Sequence, residues 1–513
     1  MIKVKVFLVA GILLMTCVSQ AIDWPQLQKD GARTGRTTDS VAPPYRARWI
    51  WLGPGLTLQN QDSETGWPHD LDARPGYSYP IPASVPFTLS HEVQPIVVGG
   101  RVFIGTIEGQ AFGLDAATGQ TLWTANLPGG TMCTAAAAID NVVFACLDGS
   151  VRAFDQATGI PQWTAALRRT STTAPCIVGS TVFAADHGGY AYAIDAVTGS
   201  LIWESDRLGP AVQGGLAADA TSLYVCTEDM VCHALEQVDG TVRAQAAVRG
   251  QSFRTLHPVV FNGLLYVHTA PVPAIGSEYV MDDLMAGSAT LQAEESNIRL
   301  WLAGNDNGGA WQYVSQDWKH LHVLNTATMS EPFVVAAGPV DGSSMSPRPV
   351  VVDNANRVLT YFKTRYATLT TPGPIFGTNY SVDIAAINQT NGNRIPIDNG
   401  QYCGIWMWET DNLYAMSVAG NYLWLRQNFR GTQVIDLSNS TYRYVQASVR
   451  NNDGGGFNAD IMYADSRTSA MDRGFDVIET EHHPYEGRVA PVVSGPYVYF
   501  TESFGVMCAE HQP

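Results

Sequence analysis

Hydrophobic positions in this chain fall into short runs separated by turn residues. In one block, Ala174 to Val178 is an apolar run, Gly179-Ser180 a turn, and Thr181 to Ala185 a second run. A turn through His187-Gly188-Gly189 leads to Tyr190 to Ile194, and the turn Asp195 to Gly199 leads to Leu201-Ile202-Trp203. Runs of this length bounded by turn residues predict β-strands, four in this block. The pattern repeats. Ala111 to Trp123 recurs as Val151 to Trp163 and again as Ala191 to Trp203, at a spacing of 40 residues. Asp115, Asp155 and Asp195 stand in one register, as do Gly119, Gly159 and Gly199, and Trp123, Trp163 and Trp203. Each repeated residue has an expected structural task. The Asp carboxylate accepts backbone N–H groups in the turn, the Gly takes the positive φ, and the Trp packs against the neighbouring sheet.

Weaker copies extend the count. Cys232-His233-Ala234-Leu235-Glu236 marks a fourth unit, His322-Val323-Leu324-Asn325 a fifth, Ala386 to Gly392 a sixth, and Gln433-Val434-Ile435-Asp436 a seventh. At the C-terminus, Val489 to Thr501 and Gly505 to Ala509 supply three strands of an eighth unit but no outer one. Arg48-Trp49-Ile50-Trp51 reads as an outer strand with nothing before it. Joining the two ends closes a ring without free edges. The predicted fold is all-β, an eight-bladed β-propeller of four-stranded antiparallel blades, closed by the N-terminal outer strand.

Composition narrows the partners. The chain has 513 residues, 45% of them hydrophobic and only 15% charged, with a formal net charge of −17. That acidity, with only five lysines (Lys3, Lys5, Lys29, Lys319 and Lys363), argues against nucleic acid as a partner. Lys3 and Lys5 precede an apolar run from Val6 to Met15, and Ser19-Gln20-Ala21 fits a small-x-small cleavage site. Residues 1–21 are therefore expected to be a signal peptide, and 22–513 a single exported propeller in the periplasm or outside the cell, monomeric and without a transmembrane segment. Lipid anchoring through Cys17 is not expected, because Thr16 before it fits such a site poorly. Cys133, Cys146, Cys176, Cys226, Cys232, Cys403 and Cys508 remain, an odd number with no Cys-x-x-Cys among them.

The repeat GxxxAxDaxTGxxxW resembles that of the pyrroloquinoline-quinone-type propellers, a superfamily that includes quinoprotein dehydrogenases and a non-enzymatic outer-membrane assembly propeller. Asp23-Trp24-Pro25-Gln26 and Asp30-Gly31-Ala32-Arg33-Thr34-Gly35 resemble the opening segment of secreted proteins with these repeats. The resemblance covers nearly the whole mature chain and implies the fold more than an activity. Its dehydrogenase branch implies an adjacent-cysteine disulfide, a Ca²⁺ site, an aspartate base and a basic residue on the quinone. This chain has no Cys-Cys pair, and its only lysines beyond the N-terminal arm are Lys319 and Lys363. No Cys-x-x-Cys-His haem site is present. The chain accordingly reads as closer to the assembly-factor members, with no catalytic residue and no cofactor assigned. Pyrroloquinoline quinone with calcium belongs to an alternative reading as an oxidoreductase.

Other constellations are weaker. His320-x-His322 has strand spacing for a zinc site, but other blades carry Phe112, Arg152, Tyr192 and His233 at the His322 position, so no metal site is assigned. His482-His483 reads as a solvated pair, and Asn451 to Gly456 and Asn305 to Gly309 read as turns lacking the acidic spacing of a calcium loop.

Four insertions interrupt the repeat, at 53–92, 270–318, 364–380 and 448–488. All four join strands at one end of the blades, so one face is expected to carry them while the opposite face stays bare. Their net charges are −4, −6, +1 and −4, and Glu108, Asp148, Asp186, Glu228 and Asp229 lie in turns of the same face. The expected function is a non-catalytic scaffold that binds a protein or cell-envelope component through this acidic face. A glycan-binding or glycan-cleaving propeller is a further alternative, motivated by aromatics such as Trp67, Tyr77 and Trp311 beside Asp and Asn. Residues just before the inner strands, Arg254, His257, Arg348, Tyr402 and Arg488, are the candidate ligand-binding positions at the channel mouth.

Overall fold

A computed structural model describes residues 22–43, 45–59, 87–270, 290–303, 319–337, 349–363, 381–397, 403–406, 413–427, 431–438, 444–446, 489–502 and 505–511. The described strands form eight sheets. Blade 1 is the antiparallel meander Ile96–Val98, Arg101–Gly105, Gln110–Asp115 and Thr121–Asn126. Blade 2 runs from Ala136–Ala138 to Pro161–Ala166, blade 3 from Cys176–Val178 to Leu201–Glu204, and blade 4 from Ala217–Ala218 to Val242–Ala247. Blades 5, 6 and 7 begin with Val259–Phe261, Val351–Val352 and Leu413–Ala419. Blade 8 contains Val492–Ser494, Tyr497–Glu502 and Gly505–His511 and is completed by Tyr45–Trp51, with Trp49 opposite Cys508 and Trp51 opposite Val506. The ring therefore closes by pairing the two ends of the chain, as the repeat predicts.

The weaker copies depart from four strands in ways the repeat does not predict. Thr57–Gln59, inside the first insertion, adds a fifth strand to blade 8. Blade 5 has three strands among the described residues. In blade 6 the third strand, Ser381–Ile387, pairs with Arg394–Ile395 at one end and Cys403–Trp406 at the other. Within the 270–318 insertion lies a helix, Leu291–Leu302, capped by Thr290, whose hydroxyl accepts from the Ala293 N–H at 3.1 Å. Its Ile298, Trp301 and Leu302 are buried. Its Arg299 donates to Asn393 Oδ1 at 2.7 Å, and its Glu295 holds Arg394 Nε at 2.8 Å. The Asn391–Asn393 turn belongs to the end of the blades expected to be bare, so this part of the insertion reaches that end.

The hydrophobic core is divided among the blades, with one cluster at each junction. Phe103 and Trp123 of blade 1 pack with Val142 and Phe144 of blade 2; Val182 and Tyr192 of blade 3 pack with Val143 and Val151 of blade 2. The closing junction places Trp49, Trp51 and Tyr499 of blade 8 against Val102, Phe112 and Leu114 of blade 1. Because alternate residues of a strand face opposite sides of its sheet, each blade feeds two of these clusters.

The repeated Asp, Gly and Trp form the latch between blades. Asp195 Oδ1 accepts the Val197 and Thr198 N–H groups at 3.1 and 2.8 Å and the Thr198 hydroxyl at 2.9 Å. These bonds, first the Thr198 backbone N–H and then its hydroxyl, hold the Asp195 carboxyl below the usual carboxylate range. Gly159 has φ +70°, and a Cβ there would lie 2.5 Å from the Trp123 ring. The Trp123 indole N–H donates to Gln156 O at 3.0 Å in that same turn of the next blade. Trp163 repeats the contact on Ala196 O at 3.1 Å, and Trp203 repeats it on Gln237 O at 2.8 Å. Trp49 makes it across the closure, on Ala116 O at 3.2 Å.

The segment from Ile22 to Val41 crosses the axis of the ring and hydrogen-bonds to an inner strand, or the turn after it, in every blade in turn. Trp24 pairs with Val97, accepting at 2.9 Å and donating at 2.7 Å; Pro25 O accepts from Ala137 N at 2.7 Å. Gln26 uses its side-chain amide on Ile177, 2.8 Å at the N–H and 3.1 Å at the carbonyl. Gly31, Ala32, Thr34 and Gly35 accept from Ala218, Val260, Val352 and Val418 at 2.7–2.9 Å. Asp39 Oδ2 takes the Gly495 N–H of blade 8 at 2.6 Å. This belt bends through Gln28, Lys29 and Arg33, three non-glycine residues at φ 51°, 75° and 61°. Such conformations are unfavourable and persist where surrounding contacts hold them. Arg33 is fully buried and donates to Leu216 O at 2.7 Å, Leu27 O at 2.8 Å and Pro175 O at 3.0 Å.

Three outcomes are expected. Gly159→Ala, which must displace the Trp123 ring, should destabilise the protein by about 2–4 kcal/mol, whereas Gly179→Ala, with φ +59° and nothing within 4 Å, should cost about 1 kcal/mol in denaturant unfolding. Arg33→Met should cost about 3 kcal/mol or more, since the buried carbonyls of Leu216 and Pro175 and the part-buried one of Leu27 lose their donor. Asp195→Asn should keep the turn, because Asn325 already serves it in blade 5, accepting from Ala327 N at 2.9 Å. A carboxyl with a lowered folded pKa stabilises above its unfolded pKa of about 4 and loses that contribution as pH falls. The variant should therefore lose less stability than the parent between neutral pH and about pH 3, read as the shift in melting temperature.

Candidate functional site at the channel mouth

Opposite the belt, the channel opens into a cavity of about 430 Å³. Its floor is Leu27 and Gln28 of the belt. Its wall comes from the segments that enter each inner strand: Ser90 to Gln94 in blade 1, Met132 to Thr134 in blade 2, and Gln213 and Gly215 in blade 4. Arg254 to His257 enter from blade 5, and Pro349, Ala415 and Val489-Ala490 from blades 6 to 8. The antiparallel meander explains this composition, since each inner strand starts at this end and the next strand returns to it.

Of the predicted mouth residues, Arg254 and His257 both line the cavity, Arg254 exposed and His257 buried. Arg348, Tyr402 and Arg488 lie outside the described residues, although Pro349 and Val489 beside two of them reach the wall. Several wall residues carry no repeat signature and were not legible in the sequence. Gln94 Oε1 accepts the Gln28 N–H at 2.8 Å and the Trp24 indole at 3.2 Å, while its amide donates to Ala490 O at 2.8 Å. It thereby ties the belt to blades 1 and 8. His187 Nε2 lies 2.8 Å from Thr172 Oγ1. Burial lowers the His187 pKa; Asp186 and Glu228 oppose this and Arg254 adds to it, so the ring is neutral at pH 7.

Three of the acidic residues expected in turns of this face, Asp186, Glu228 and Glu108, are part of the framework. Asp186 is fully buried and accepts from Arg169 N at 3.0 Å, Gly188 N at 2.8 Å and the Tyr192 hydroxyl at 2.8 Å. Glu228 takes Phe253 N at 3.1 Å and the Ser252 hydroxyl at 2.7 Å; Glu108 takes Thr88 N at 2.7 Å. Each carboxylate thus anchors the segment entering an inner strand, and the physical reason is that such a segment leaves backbone donors without strand partners.

The two histidines of His320-x-His322 have different neighbours. His322 Nε2 lies 2.8 Å from Arg249 O and 3.2 Å from Lys319 O, so it donates to carbonyls. The His320 ring lies 6.0 Å from that of His268, centroid to centroid. Lys319 does not line the mouth. Its ammonium is held by both oxygens of Glu331 at 2.6 Å, beside a separate cavity of about 330 Å³ against the residues after blade 4. No helix among the described residues is long and apolar enough to cross a membrane.

Comparison with known proteins agrees with this architecture. The chain is 35% identical over 106 residues to the outer membrane protein assembly factor BamB of Yersinia pestis, covering 19% of this chain and 26% of that protein. It is 27% identical over 160 residues to that of Moranella endobia (strain PCIT), covering 27% and 40%. The chain thus spans well under half the length of the curated relatives it matches. The computationally designed Ika8 protein superposes with a TM-score of 0.50 at 11% identity, over 83% of this chain and 96% of that one, which bears on the fold alone. The family model for outer membrane protein assembly factor BamB matches residues 56–206 and 187–329. Those segments together cover more than half of the sequence, and the chain belongs to that family.

Proposed function

We propose that this chain is an exported, non-catalytic binding propeller that engages a protein of outer-membrane assembly through the channel mouth and the insertions around it. The observation that carries the reading is the belt. It fills one end of the channel with contacts to all eight blades, which leaves the mouth, with its cavity of about 430 Å³, as the end open to a partner. Family membership supports a protein partner, since the relatives are named for outer-membrane protein assembly. Arg254 is the wall residue best suited to contact it, being exposed and charged beside the neutral His187. The insertions at 270–318 and 448–488 carry net charges of −6 and −4.

The test is cross-linking in the native host followed by identification of the linked partner. The full chain should capture a component of outer-membrane protein assembly. Replacing 448–488 by a short Gly-Ser linker, or introducing Arg254→Glu, should reduce capture at least tenfold with little change in melting temperature, because neither is part of the belt or latches. Capture that is unchanged in both variants would sink the assignment to this face.

A further inference from the structure

The belt begins at a group whose chemistry changes if the chain is processed where the sequence indicates. The Ile22 N–H donates to Asp39 Oδ2 at 2.8 Å, and that same oxygen accepts the Gly495 N–H at 2.6 Å. The Ile22 carbonyl accepts from the Ser494 hydroxyl at 3.0 Å. The belt therefore returns to its own start. After visiting blades 1 to 7 it meets Ile22 at blade 8, with Asp39 as the joint. As an amide, Ile22 offers this carboxylate one donor and no charge. Cleavage after Ser19-Gln20-Ala21 converts the same nitrogen to an ammonium group, with three donors and a positive charge.

We propose that Asp39 is the receptor for the α-ammonium group of Ile22, so that removal of residues 1–21 joins the two ends of the belt into a charge-locked ring on blade 8. The step is hydrolysis of the Ala21–Ile22 peptide bond: water supplies a hydroxyl to the Ala21 carbonyl and one proton to the Ile22 nitrogen, and the proton lost by the new Ala21 carboxylic acid completes the ammonium group. The proposal rests on the export reading, which supplies the cleavage. Near this joint the belt carries Asp23, Lys29 and Asp30. Lys29 Nζ is engaged with Asp23 O at 2.7 Å, and Asp23 Oδ1 accepts Gly99 N at 3.1 Å, beside Arg101 of blade 1. The turn of blade 8 that faces the joint, Ser494-Gly495-Pro496, has no titratable side chain. Asp39 is thus the carboxylate placed to take the new charge.

Pairing raises the amine pKa above its unperturbed value of about 7.7–8.0, so its stabilisation is present below that range and lost as pH rises through the folded value. Two forms of the protein distinguish the outcomes, one beginning at Ile22 after release from a cleavable fusion and one retaining Gln20-Ala21. In the first, acylation of the α-amine at neutral pH should be about tenfold slower than in the same form carrying Asp39→Asn, one pKa unit being tenfold in free amine. Its melting temperature should exceed that of the longer form by roughly 1 °C or more at pH 6–7, with the gap closing by about pH 10. Equal acylation rates with and without Asp39, or a gap that does not depend on pH, would overturn the receptor assignment. The N-terminus of the protein isolated from its host tests the export reading separately. A start at Ile22 supports the processing step, whereas a start at lipidated Cys17 or at Met1 overturns it while the acylation result still decides the receptor.

Discussion

A ring of blades leaves the innermost strand of each sheet with one unpaired edge facing the axis, and backbone groups there must find partners. The belt from Ile22 to Val41 meets that demand once per blade, and the rest of the molecule depends on its doing so. Most of its bonds are main-chain, as at Trp24 with Val97, and side chains take over at Gln26 with Ile177 and Asp39 with Gly495. The cost appears in three left-handed non-glycine residues and in a buried arginine held by carbonyls. A guanidinium suits this position because its five donors fan outward and serve several carbonyls at once. The same belt gives the propeller two unlike ends, one filled and one open.

Around the belt, stability comes from repetition of one junction. Apolar faces of successive sheets meet in separate clusters, and the Trp–Gly latch sets the distance between blades in the regular half of the ring. Where that latch fades, other devices appear. The helix Leu291–Leu302 buries Trp301 and joins its Arg299 and Glu295 to blade 6, and a divided outer edge completes that blade. Irregular blades are thus held by contacts particular to them.

At the open end, the same constraint that shapes the belt shapes the mouth. Segments entering the inner strands are not themselves strands, and their N–H groups are taken by Asp186, Glu228 and Glu108 in the adjacent turns. Acidity near the mouth is partly framework as a result, and the groups free to meet a partner are fewer than the charge count suggests. Arg254 is among them, while Gln94 and Lys319 are committed to internal partners.

The sequence by itself determined the blade, the ring and its closure. A strand pattern with a 40-residue period carries its own register, and the roles of Asp195, Gly159 and Trp163 follow from turn geometry and side-chain size. Those are local properties, readable from neighbours along the chain. Tertiary structure decided what depends on residues far apart. Nothing local distinguishes Gln26, Arg33 or Asp39 from any polar loop residue; their partners stand at Ile177, Leu216 and Gly495. Arg254 and His257 could be placed near the axis by counting strands, but the floor beneath them and the carboxylates behind them required the folded ring. Strand identity is set by short-range pattern, whereas a channel is bounded by every blade at once.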